Sequence, residues 1–284
     1  MTKQNLLVDP FTIASVRVSL LAQQKPFGHA TAFFYKRGGN LYLVSNWHVM
    51  SGRNRWTGQA RDGNGRVPDQ LAMMIVPTSA MIEQNFAAAE LGATRLRADL
   101  NNLDGSPKWL QHPEHGQNVD VAVLSLIPQL VALIRVGHAN ACLEKYPFAK
   151  TVSADAYVVG FPLDLTIAGL FPVWKRATIA SDVSIPIEGL PKFLIDAITS
   201  EGMSGSPVYV RSLLKAADTE IEGVVRRHYV TELIGVYSGR LKDAQARPQE
   251  DKDQMLKYFL GEVWQSHLID EIINGQFPGT YEIR

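Results

Sequence analysis

A single cysteine, Cys142, occurs in 284 residues, so no intramolecular disulfide can form and thiolate metal clusters are excluded. That scarcity points to a reducing compartment. Charge of either sign is not in excess: 28 Lys and Arg balance 28 Asp and Glu. Without a net field, a polyanion or an anionic membrane would have to be held by a local patch. The densest basic clusters, Lys36-Arg37, Lys175-Arg176 and Arg226-Arg227-His228, are isolated pairs or a triplet. Neither nucleic acid nor membrane is an expected partner. No run approaches about 18 apolar residues, and MTKQNLLVDPFTIASV lacks the apolar segment and small-residue cleavage site of a signal peptide. The expectation is a soluble, cytoplasmic protein. What the chain does have is 46% hydrophobic residues, enough for real cores, and a length that suits about two domains.

Short strand patterns dominate. Thr12 to Leu21 is rich in β-branched residues, and Thr31 to Tyr35 with Leu41 to Ser45 reads as a hairpin around Gly38-Gly39-Asn40. Further candidates are Leu71 to Val76, Val121 to Leu126, Ala156 to Val159, Ala177 to Ser181, Phe193 to Ile198, Val208 to Val210 and Leu233 to Tyr237. Strands this short, punctuated by Gly, Pro and Asn, argue for antiparallel barrels or sandwiches, because a parallel sheet would need regular helices between them. Helical periodicity is expected at Ser79 to Leu91 and from about Asp253 to Asn274, the latter capping the outside of the second half. Pro128 to Pro147 is the candidate connection between halves.

Three segments carry chemistry. In Gly202-Met203-Ser204-Gly205-Ser206-Pro207 a serine sits between glycines in a turn before a strand, which exposes its hydroxyl and lets backbone N–H groups turn inward for an oxyanion. In Asn46-Trp47-His48-Val49 a histidine follows a strand end, and a pKa of about 6.5 suits it to a general base. Asn118-Val119-Asp120-Val121 opens an apolar strand with a carboxylate, which when buried requires a partner such as an imidazole N–H. Taken singly, each has an ordinary structural reading: a Gly-rich turn, a half-buried histidine, a strand-start Asp bonded to backbone. Together they run His48, Asp120, Ser204, with spacings of 72 and 84 residues. Asp99 and Asp104 are the rival carboxylates, the first in an Arg-flanked stretch without strand pattern and the second in a turn.

This order resembles that of the trypsin-like serine peptidases, in particular the disulfide-free bacterial HtrA-like branch. The resemblance is carried also by Ala30-Thr31-Ala32-Phe33-Phe34, Leu43-Val44-Ser45, Val158-Val159-Gly160-Phe161-Pro162, Ala177-Thr178-Ile179-Ala180-Ser181 and Leu233-Ile234-Gly235-Val236-Tyr237-Ser238-Gly239, about three quarters of the chain. It implies an all-β fold of two antiparallel six-stranded β-barrels with a C-terminal α-helix. The halves would be 1–135 with His48 and Asp120, 136–250 with Ser204, and 251–284 as helix and tail, all one catalytic unit. It further implies that His48 takes the Ser204 proton, that Asp120 fixes the imidazole, and that the N–H groups of Gly202 and Ser204 hold the oxyanion. Ser238 would contact Asp120, and Ser238, Gly239 and Arg240 would pair with extended substrate backbone.

Departures sharpen the expectation. Met203 replaces an aspartate that many secreted relatives use for activation by cleavage, so that ion pair is not available. By the resemblance Ile198 lies at the base of the primary specificity pocket, with Thr199, Tyr237 and Arg240 lining or narrowing it. That implies cleavage after small or medium uncharged residues, with Arg240 alternatively favouring acidic residues nearby. No cofactor and no metal are expected: His112-Pro113-Glu114-His115 lacks the helical spacing of metal-binding histidines. Trp56, Trp109, Trp174 and Trp264 read as core anchors. The expected activity is that of a serine endopeptidase acting on a polypeptide substrate, with regulation from loops or a separate protein. The rival is a catalytically silent fold of this type serving as a protein-binding scaffold.

Overall fold

The computed structural model describes residues 8–75, 93–126, 136–141, 150–213, 219–221, 224–226, 229–240 and 260–281. The helix expected at Ser79 to Leu91, Cys142 and most of Pro128 to Pro147 lie outside them. Seven strands form the first sheet: β1 (Ser15–Ala22), β2 (Lys25–Arg37), β3 (Asn40–Ser45), β4 (Gln70–Ile75), β5 (Thr94–Asp99), β6 (Trp109–Leu110) and β7 (Ala122–Ser125). Their order is β5-β4-β1-β2-β3-β7-β6. A five-residue helix, α1 (Trp47–Ser51), follows β3.

The second sheet comprises β8 (Asp155–Gly160), β9 (Val173–Ile179), β10 (Lys192–Asp196), β11 (Pro207–Leu213), β14 (Tyr229–Arg240) and β15 (Leu260–Gln265). It closes in the order β10-β15-β14-β11-β8-β9. Between β11 and β14, β12 (Thr219–Ile221) and β13 (Val224–Arg226) pair with each other as a separate two-stranded sheet. A helix, α2 (His267–Gly275), ends the chain's regular structure.

Only the second expected barrel is therefore closed; among the described residues the first is a half-barrel with free ends at β5 and β6. The β2–β3 hairpin turns on Gly38 and Gly39 at φ +55° and +83°, a pair of left-handed positions that favours glycine and matches the twist of the strands. β5 corrects the reading of the stretch around Asp99, where Leu96 and Ala98 alternate with Arg95 and Arg97 across its two faces.

Alternation explains the apolar runs. In β2, Ala32 and Phe34 face the core of the first sheet while Phe33 and Tyr35 face a second core shared with the barrel. In β14, Leu233 and Val236 join that shared core, and Ile234 and Tyr237 face the barrel interior. β15 divides likewise, Val263 inward and Trp264 into the shared core. That two-sided burial imitates helical periodicity: of the helix expected over about 253–274, residues 253–259 lie outside the described residues, 260–265 are strand and α2 is helical.

α2 also does not cap the outside of the barrel. Its Leu268, Ile269, Ile272 and Ile273 lie in the shared core with Val119, Val121 and Val123. The tail then returns to the first sheet, where Gly279 N–H donates to the Trp109 carbonyl and Gln111 N–H to that of Phe277.

Candidate active site

β3 and β7 are neighbours, with Ser45 opposite Ala122, so the residues just after one strand meet those just before the other. This brings His48, on the first turn of α1, against Asp120 across 72 residues of sequence. Their Nδ1 and Oδ2 atoms are 2.7 Å apart. The His48 backbone N–H donates to the other carboxylate oxygen, Oδ1, at 2.9 Å, and Ser238 Oγ donates to Oδ2 at 2.5 Å. Asn46 Nδ2 holds the Asp120 carbonyl at 2.7 Å. Both His48 and Asp120 are buried.

Burial by itself would raise the Asp120 carboxyl, but the adjacent imidazole, its hydrogen bond, Arg55 and the Ser238 hydroxyl outweigh it and bring the pKa down to about 2. Asp120 is thus a carboxylate at neutral pH. Burial lowers the His48 pKa, and the cationic Arg61 and Arg55 act in the same direction against the pull of Asp120. The ring is therefore neutral near pH 7, with Nδ1–H directed to the carboxylate and Nε2 free to accept a proton.

Ser204 sits half-exposed in the turn before β11, among buried neighbours. Gly202 and Gly205 take φ of +90° and +85°. A Cβ at Gly205 would come within 2.1 Å of the Thr31 carbonyl, and one at Gly202 within 2.3 Å of that of Phe161. The turn needs glycine at both. Among the described residues the N–H groups of Gly202 and Ser204 have no hydrogen-bond partner. The Ser204 hydroxyl donates to the Ser238 carbonyl at 3.3 Å and makes no hydrogen bond to His48.

His48, Asp120 and Ser204 line one cleft of about 390 Å³, together with Thr199, Tyr237, Ser238, Gly239 and Arg240. Ile198 is not among its lining residues: it is 67% exposed. Its neighbours Ala197 and Thr199 are buried, so the extended chain turns Ile198 to the opposite side. The specificity expected from Ile198 loses its basis. Met203 is buried in the barrel core. Trp109 and Trp264 are fully buried, whereas Trp56 is 60% exposed and lines the cleft, its ring 4.3 Å from the Arg55 guanidinium. His112 bonds Glu271 of α2 through Nε2 at 2.9 Å.

Two features are missing from the sequence reading. Thr31, fully buried on β2, brackets the serine turn: its N–H donates to the Ser204 carbonyl at 3.0 Å and its hydroxyl to the Gly202 carbonyl at 2.7 Å. Phe161 N–H donates to the same hydroxyl at 3.2 Å, and Ser45 Oγ to the Thr31 carbonyl at 2.8 Å. The available signal was the small pair Ala30 and Ala32 flanking a polar residue in an apolar strand. The second feature is a buried ionic chain, Arg55 to Glu262 at 3.3 Å and Glu262 to Lys192 at 2.9 Å, which joins the two halves across 207 residues. No local pattern announces such a pair.

No family model and no curated protein matches the chain. Solved structures similar to it include the serine endoprotease from Yersinia pestis, at 11% identity and a TM-score of 0.48, over 93% of this chain and 62% of that one. The chain thus spans less than two thirds of that protein's length. It is also similar to the Rv3671c protease from M. tuberculosis in its active form (15% identity, TM-score 0.44, 95% and 83% of the two chains) and in its inactive form (14%, 0.44, 93% and 89%).

Proposed function

We propose that the chain is a serine endopeptidase working through an acyl-enzyme. The observation that supports this most is the bonded His48–Asp120 pair in the same cleft as Ser204, whose turn leaves two N–H groups without partners among the described residues. In this reading Ser204 rotates away from the Ser238 carbonyl and gives its proton to His48 Nε2 as Oγ attacks a peptide carbonyl. The N–H groups of Gly202 and Ser204 receive the developing oxyanion, each such donor contributing about 10²- to 10³-fold. His48 then protonates the leaving amine, and water repeats the sequence on the acyl-enzyme. Asp120 holds the ring tautomer and offsets the charge of the imidazolium. The substrate is extended polypeptide lying along Ser238, Gly239 and Arg240, with no metal or organic cofactor in the scheme. Among the described residues no helix is long and apolar enough to cross a membrane.

The hydrogen bond from Ser204 to the Ser238 carbonyl, in place of one to His48, favours a second reading, a silent scaffold of the same architecture. Labelling with a fluorophosphonate separates the two. The enzyme reacts at Ser204 and the Ser204→Ala variant does not; a folded wild-type chain that stays unlabelled in the presence of polypeptide rejects the peptidase reading.

A further inference from the structure

The wall of the cleft beside Ser204 offers hydrogen-bond donors that the proposed reaction does not use. Thr199 and Tyr237 are buried and their hydroxyls bond to each other. Two hydroxyls bring two hydrogens, and their mutual bond spends one, so one donor remains without an acceptor among the described residues. Burial pushes the Tyr237 pKa up to about 12, so the phenol keeps its proton at neutral pH. Beside them the Arg240 guanidinium spends one N–H on the Thr199 carbonyl at 2.7 Å and has no carboxylate partner among the described residues. Arg61, exposed and also lining the cleft, likewise makes no ion pair among the described residues.

Of the three carboxylates that line the cleft, two are occupied. Glu262 receives Lys192 at 2.9 Å and Arg55 at 3.3 Å, and Asp120 is taken by His48 and Ser238. Glu201, exposed at the rim, is the one lining carboxylate for which no partner is found among the described residues. An uncharged, donor-poor side chain would leave the buried spare hydroxyl hydrogen without an acceptor and the exposed guanidinium to water, whereas a carboxylate accepts from both. Charge-assisted bonds of this kind are the stronger class.

Resting on the peptidase reading, we propose that Thr199, Tyr237 and Arg240 form a carboxylate-binding subsite that selects Asp or Glu at the residue supplying the scissile carbonyl. The position follows from the cleft: all three residues line it with Ser204, and Tyr237 precedes the Ser238 whose carbonyl holds the Ser204 hydroxyl. The substrate class is then acidic polypeptide.

The test uses the full chain and peptides identical except for Glu, Gln, Ala or Lys at that position. One charge-assisted bond discriminates by about 10- to 100-fold, so kcat/KM for Glu exceeds that for Gln by this factor, and Arg240→Gln brings the ratio close to one. Fluorophosphonate labelling of the wild type is measured first. A chain that labels but cleaves Gln as fast as Glu, or whose ratio survives Arg240→Gln, overturns the subsite and leaves the peptidase reading intact. A chain that does not label fails the peptidase reading instead. The subsite is then decided by anisotropy with the same peptides on Ser204→Ala: tighter binding of Glu than Gln, lost in Arg240→Gln, upholds it, and equal binding rejects it.

Discussion

The two halves solve the same structural problem differently. The barrel of β8 to β11, β14 and β15 pairs every strand on both sides, whereas among the described residues the first sheet ends at β5 and β6. An unpaired strand edge is a liability, and at β6 the C-terminal tail covers it, with Pro278 bridging Leu110 and Gly279 bonded to Trp109. The same contrast runs through the site. The open half carries a finished pair, His48 and Asp120, buried and multiply bonded, while the closed half carries a serine with one long hydrogen bond to its own neighbour. Rigidity at the site therefore does not follow from closure of the sheet. It follows from how many hydrogen bonds hold each segment, and for the serine turn two of them come from Thr31 of the other half, its N–H to the Ser204 carbonyl and its hydroxyl to that of Gly202.

The largest expected effect lies in the finished pair. Asp120→Asn keeps the shape but favours the wrong imidazole tautomer, a change that costs about 10⁴-fold in turnover in a triad; burst kinetics with an ester substrate would measure it. If activity survives, Asp120 is not the orienting carboxylate. The wild-type pH profile sharpens the point. Because His48 is held below its ordinary value, kcat/KM stays level down to a pH under about 6.5 before it falls. Stability follows the same sign. The Asp120 pKa is depressed from 3.8 to about 2, so its contribution is present above the unfolded value and lost as pH falls through the folded one. That loss is on the order of 2 kcal/mol by the relation between pKa and free energy, readable in acid denaturation and reduced in Asp120→Asn.

Next comes the strap from the open half to the serine turn. Thr31→Val keeps the volume but leaves the Gly202 carbonyl and the Phe161 N–H without the hydroxyl between them. Each buried group left unpaired costs about 1–3 kcal/mol, part of it as misplacement of the turn. We expect the acylation rate to fall by about 10- to 100-fold, largely in kcat, with Thr31→Ser recovering most of it. A purely structural role would lower Tm in both variants alike and leave the acylation rate of the folded fraction untouched.

How much of this was legible depends on the range of the physics involved. Strands such as β3 and β7 were readable because apolar runs and turn residues act locally, and the His48, Asp120 and Ser204 segments stood out because glycine and buried carboxylate need explanation wherever they occur. β15 misled for a definite reason: a strand buried on both faces has no alternation, so Leu260, Val263 and Leu268 fall at helical spacings across a strand and a helix. Ile198 misled because a position counted back from a nucleophile fixes the place of the backbone and not the face to which it turns. Thr31 was marked only by its small neighbours and the Arg55–Glu262–Lys192 chain not at all, because their partners lie 171 and 207 residues away.

Ser238 carries the smallest effect and the most direct test of the contrast between halves. It is the closed half's donor to Asp120, through Oγ to Oδ2 at 2.5 Å, while its carbonyl accepts the Ser204 hydroxyl. Ser238→Ala removes the donor and keeps the carbonyl, so two bonds from His48 remain on the carboxylate. A hydrogen bond to a charged group is worth about 1.5–3 kcal/mol, but a carboxylate that keeps its imidazole partner loses only the lower part of that range. The expected cost is about tenfold in kcat/KM, with the Asp120 pKa moving up because a group that favoured its charged form is gone. NMR of the carboxyl carbon would follow that movement. A loss as deep as that of Asp120→Asn would mean that the open half does not hold its pair unaided, and that the carboxylate is shared between the halves from the start.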